Sequence, residues 1–69
     1  MTWERVPPRT RQVAHHLLAG MNNQEIATQM GLALRTVKAH MHRLFLLYGI
    51  NSRYIKRVRL VYLLSKEIG

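Results

Sequence analysis

The 69 residues read as an all-α chain, a compact four-helix domain containing a helix-turn-helix, and three observations predict it. Gly20, Gly31, Gly49 and Gly69 each follow a segment of helical periodicity, where the residue after a helix commonly takes a positive φ, so they divide the chain into four helices. Apolar residues recur at spacings of three and four, and no strand alternation, repeat or low-complexity segment competes with them. The third observation is the run from Asn22 to Tyr48. Ala27 is small where a second helix must cross closely, Gly31 four residues on can end the first helix of the pair, and Val37 sits where the second helix plugs the core.

The first helix is expected over about residues 8–19. Pro7 and Pro8 stand at its first turn, where proline is tolerated, Val13, Leu17 and Leu18 form its apolar set, and Trp3 and Val6 should fold back onto it. The second, about 23–30, starts from Asn22, whose side chain can cap while Glu25 three residues later closes a capping box and favours the positive end of the helix dipole. The third, about 34–48, carries Leu34, Val37, Met41, Leu44, Phe45 and Tyr48 as one apolar stripe, with Arg35, Lys38, Ala39 and His42 turned away from it. The fourth is expected over about 53–67, capped by Asn51 or Ser52. Its apolar residues, from Ile55 to Ile68, are too many for one face, so a second apolar face needs a partner.

One small domain spanning residues 1–69 buries only about 60% of its unfolded surface, which argues against a deep catalytic cleft and makes oligomerisation a natural source of stability. With no cysteine there is neither a disulfide framework nor a thiolate metal site. His15-His16 and His40-x-His42 point in different directions on a helix and cannot converge on one ion. No aspartate and no close carboxylate pair offers acid–base chemistry, so neither an enzyme nor a cofactor is expected. No apolar run reaches the roughly 18 residues of a bilayer span and no secretory leader is visible, so a cytoplasmic protein without a membrane partner is expected. Eleven lysines and arginines against Glu4, Glu25 and Glu67 give a formal charge of +8, which points to a polyanionic partner.

A helix that buries Val37, Met41 and Leu44 while presenting Lys38, Ala39 and His42 has the width and chemistry for a DNA major groove. Lysine or histidine can donate to guanine O6 or N7 and the alanine methyl can touch a thymine methyl, which makes these three the base-reading candidates. Arg35, Thr36, His40 and Arg43 flank that face and suit phosphate oxygens. Asn23 and Gln24, in the first turn of the second helix, and Arg53 and Lys56, expected at the start of the fourth, offer further phosphate contacts. Leu60, Leu63 and Leu64 are the candidates for a dimer face, the alternative being that some of them pack inside the monomer.

Several stretches together resemble the LuxR/GerE-type DNA-binding domain: Pro8-Arg9 with Arg11 and Val13, Asn23-x-Glu25-Ile26-Ala27, Met30-Gly31-Leu32, Thr36-Val37-Lys38-x-His40, and Tyr48-Gly49-Ile50-x-Ser52-Arg53. The resemblance covers about residues 6–53 without a gap. It implies a scaffold helix, a helix-turn-helix pair whose second member reads the major groove, and a fourth helix that commonly dimerises. Lys38, Ala39 and His42 then fall at base-contacting positions, and Thr36, His40 and Arg53 face the backbone. The chain departs from the pattern at Pro7 and Thr10, where a hydroxyl cap and a glutamate are usual, at Ala33 and Leu34, where a hydroxyl cap and an acid are usual, and at Tyr54-Ile55-Lys56-Arg57, where a small, acidic, alanine-containing turn is usual.

The expected function is a transcription regulator that binds duplex DNA as a homodimer on a near-palindromic site, with RNA polymerase or another regulator as a further partner. The alternatives are a protein-interaction module that sequesters or recruits a regulator through its apolar last helix, and a sigma-factor-like promoter-reading module. Members of the family usually carry a sensing domain ahead of the DNA-binding one. The chain is either a stand-alone regulator or a piece of a larger one, and the start Met1-Thr2-Trp3-Glu4 favours the first.

Overall fold

Thr2–Arg5 form a short 3-10 turn, and helices α1 (Pro8–Leu18), α2 (Asn23–Met30), α3 (Leu34–Leu47) and α4 (Lys56–Ile68) follow. The computed structural model describes residues 1–51 and 55–68.

The starts of the helices differ in how they are held. Asn22 and Glu25 make the reciprocal box at α2, with Asn22 Oδ1 accepting from the Glu25 N–H at 2.8 Å and Glu25 Oε1 from the Asn22 N–H at 2.9 Å. Pro7 and Ala33, at the N-caps of α1 and α3, supply no side-chain acceptor. At the end of α2, Gly31 takes φ +66°, which lets the Leu32 N–H reach back to the Ala27 carbonyl at 2.9 Å. The turn therefore closes within three residues, from Gly31 to Ala33, and throws α3 across α2.

The core takes residues from every helix: Val13, Ala14 and Leu17 from α1, Ile26 and Ala27 from α2, Val37, Met41 and Leu44 from α3, and Leu60 and Leu64 from α4, with Val6 and Ile50 closing its edges. Burying a leucine or isoleucine side chain is worth roughly 1.5–3 kcal/mol, and Ile26, Leu44, Leu60 and Leu64 have no exposed surface. Thr10 is buried beside them, although its hydroxyl marks it as polar in the sequence.

Trp3 and Val6 do fold back on α1. Arg11 donates from Nε to the Val6 carbonyl at 2.9 Å and from Nη2 to the Trp3 and Glu4 carbonyls, and its guanidinium lies 5.3 Å from the Trp3 ring centre. On the other side of that turn, Glu67 near the end of α4 accepts the Thr2 and Trp3 N–H groups at 3.1 and 3.0 Å, and the Tyr48 hydroxyl at 2.5 Å. One carboxylate thus joins the N-terminal turn, the end of α3 and the end of α4. Burial, and then Glu67, raises the Tyr48 pKa, so the phenol remains a neutral donor.

The start of the fourth helix is corrected. Instead of position 53, α4 begins at Lys56, with the Ile55 carbonyl accepting the Arg59 N–H at 2.8 Å. Asn51 stands four residues before the cap position at Ile55, too early to cap the helix, and Ser52 lies outside the described residues. Tertiary anchors set the register: Leu60 and Leu64 must enter the core, and Arg57 donates to Asn23 Oδ1 and the Met21 carbonyl, both at 2.8 Å.

Candidate nucleic-acid interface

The third helix is two-sided. Val37, Met41 and Leu44 are buried, and the i, i+3 and i+4 geometry then turns Arg35, Lys38, Ala39 and His42 outward, all four exposed. Leu46 continues the same outer face and is 67% exposed, an apolar tip that the sequence pattern alone leaves unassigned. None of the three acidic residues faces this surface. Glu4 pairs with the amino terminus, Glu25 closes the α2 box, and Glu67 holds the N-terminal turn. The positive charge of α3 is therefore unneutralised on the side that faces solvent.

Beside this face an open cleft of about 470 Å³ runs between the first turn of α1 and the middle of α3, lined by Pro7, Pro8, Arg9, Thr10, Thr36, Ala39, His40 and Arg43. Three expected phosphate-binding residues, Thr36, His40 and Arg43, are brought together there. His40 is half-buried, with Nδ1 2.9 Å from Thr10 Oγ1. Burial first, and then the charges of Arg43 and Arg9, hold its pKa below the ordinary histidine value. Arg9 and Thr10 were not legible as site residues. Their sequence signals are that Arg9 belongs to the Pro8-Arg9 stretch of the LuxR/GerE resemblance and that Thr10 occupies a position where that pattern usually has a glutamate.

Other expected contacts lie around the same face. Gln24 is exposed at the start of α2, whereas Asn23 is half-buried with its oxygen held by Arg57, leaving its amide N–H groups as donors. Lys56 is exposed at the start of α4 with Nζ 5.6 Å from the Phe45 ring centre. Arg53 lies outside the described residues. Among the described residues no three metal-ligating side chains converge, and no helix is long and apolar enough to cross a membrane.

The family model of bacterial regulatory proteins of the luxR family, GerE, matches residues 7–54, from the residue that precedes α1 to beyond the end of α3. The chain belongs to the LuxR family. No curated protein and no solved structure matches it. As a LuxR-family helix-turn-helix domain it is a DNA-binding regulator of transcription.

In this LuxR-family chain α4 lies wholly beyond the matched segment, and two of its three dimer candidates are turned inward. Leu60 and Leu64 are fully buried in the core of the monomer, because they are the i, i+4 pair that faces α1 and α3. They are closed to a second molecule. Leu63 is half-buried, and the face left open holds Ile55 at 45%, Val58 at 70% and Tyr62 at 57% exposure. With Arg59 and Leu63 these three line a shallow, mostly apolar depression of about 400 Å³.

Proposed function

We propose that the chain regulates transcription in the cytoplasm as a homodimer, each subunit laying the outer face of α3 in the major groove of a near-palindromic site. The observation that carries this is the outer face of α3, where Arg35, Lys38, Ala39 and His42 are open to solvent on a helix locked from behind by Val37, Met41 and Leu44. The major groove admits one α-helix. Lys38 and His42 donate to base edges and Ala39 packs on a thymine methyl. Asn23, Gln24, Arg35, Thr36, His40, Arg43, Arg53 and Lys56 hold phosphates, which fixes the helix in register without reading sequence. Two subunits joined through Val58, Tyr62 and Leu63 place their recognition helices about 34 Å apart, one turn of duplex.

The same open face of α4 supports a second reading, in which it recruits RNA polymerase or another regulator and DNA contact is secondary. Fluorescence anisotropy against a randomised duplex pool over a salt series, with the bound duplexes sequenced, separates the two. A steep salt slope and a selected near-palindrome that Lys38→Ala loses support the dimeric DNA reader. Weak, unselective binding indifferent to Lys38 overturns it, and loss of regulation in Val58→Asp with the oligomeric state and the cooperativity of DNA binding unchanged favours the recruiting module.

A further inference from the structure

Among the described residues His40 is the one histidine that lines the α1–α3 cleft, and the charged side chains that line it alongside, Arg9 and Arg43, are both positive. Arg9 faces it from α1 and Arg43 from its own helix, Thr10 meets its Nδ1 through a hydroxyl, and among the described residues no carboxylate lines the cleft. The glutamates are engaged elsewhere, with the amino terminus, the Asn22 N–H and the N-terminal turn. Neither arginine has a carboxylate partner among the described residues; Arg9 donates to Gln12 at 3.0 Å and keeps further guanidinium donors free. Ala39 borders the cleft as well as the base-facing side of α3, so an anion in the cleft lies next to the bases that α3 would read.

We infer that this cleft seats one phosphate of the DNA backbone between Arg9 and Arg43, and that His40 takes up a proton as that phosphate enters. The inference rests on the docking of α3 proposed above and adds Arg9 and proton uptake to it. Without an anion, a third positive charge between two arginines is unfavourable and the imidazole stays neutral. A phosphate reverses the sign of the local field, and the imidazolium then becomes a charge-assisted donor to it. The proton comes from bulk solvent, so no other reactant is involved. DNA affinity should therefore rise as pH falls, over the window between the free and the DNA-bound pKa of His40, by at most about tenfold per pH unit for one proton.

The test combines anisotropy titrations with the selected duplex from pH 5.5 to 8, at fixed ionic strength in a phosphate-free buffer, with NMR titration of the His40 ring in the free and duplex-bound protein. The ring is expected to titrate at higher pH when bound. His40→Gln should remove about one proton from the pH slope whatever share His42 contributes, and Arg9→Gln should lower the salt slope by about 1 equally for all duplex sequences. Should the ring titrate at the same pH free and bound, or His40→Gln keep the wild-type pH slope, or Arg9→Gln leave the salt slope unchanged, the phosphate seat is overturned while Lys38-dependent duplex binding still stands. Loss of all Lys38-dependent duplex binding in the wild type overturns both. Circular dichroism of each variant confirms that it folds, and the wild-type ring titration decides the matter without any variant.

Discussion

His40 reports on the fold as well as on the cleft. Its pKa is lowered in the folded state by burial and by Arg43 and Arg9, and unfolding returns it to about 6.5. Below that pH the unfolded chain binds more protons than the folded one. Its contribution to stability is therefore complete above about pH 6.5 and is lost as pH falls through the folded value. Thermal unfolding followed by circular dichroism should show Tm declining over this window in the free protein and declining less in His40→Gln. At the positions proposed to face the bases, Lys38→Ala or His42→Ala should each cost about 1–3 kcal/mol of binding and relax preference at a single base pair, which competition with single-substitution duplexes would measure. A loss that is uniform across sequences would instead assign the residue to phosphate.

Among the elements, α2 and α3 face each other across Gly31 with unequal starts. The α2 box satisfies two N–H groups, whereas Ala33 leaves the first N–H groups of α3 without a side-chain acceptor. Ala33→Ser should raise stability by about 0.5–2 kcal/mol, and Asn22→Ala should lower it by a similar amount, both read from urea midpoints at constant m. The uncapped start of α3 carries Arg35 and borders Lys38, so N–H groups without a side-chain acceptor lie beside the proposed DNA face, where a helix N-terminus favours an anion. The Ala33 variant thus tests whether an ordered start favours or hinders docking.

Over the whole molecule, α4 has two apolar faces with opposite duties. Leu64→Ala should cost about 2–5 kcal/mol because Leu64 is fully buried in the core. Val58→Asp should leave the Tm of the monomer nearly unchanged, since Val58 is 70% exposed, while sedimentation equilibrium shifts toward monomer and the half-site cooperativity of DNA binding is lost. Glu67 joins the two ends of the chain. Glu67→Ala removes the shared acceptor of the Thr2 and Trp3 amides and of Tyr48, and should cost about 1–3 kcal/mol with faster hydrogen exchange at those two amides.

The sequence by itself determined the helix count, the turn at Gly31, the capping box of α2 and the outer face of α3, because each depends on residues within four positions of one another, where propensity, positive φ and the 3.6-residue period act directly. Tertiary structure decided which apolar face of α4 is spent inside. Leu60 and Leu64 differ from Val58 and Leu63 only in where the helix meets α1 and α3, and that rotation is fixed by distant partners such as Asn23 and Met21 through Arg57. It also decided the cleft. Thr10 and His40 lie thirty positions apart and meet only because α1 packs along α3, so their hydrogen bond, and the lowered pKa of the imidazole beside two arginines, follow from long-range packing rather than local pattern.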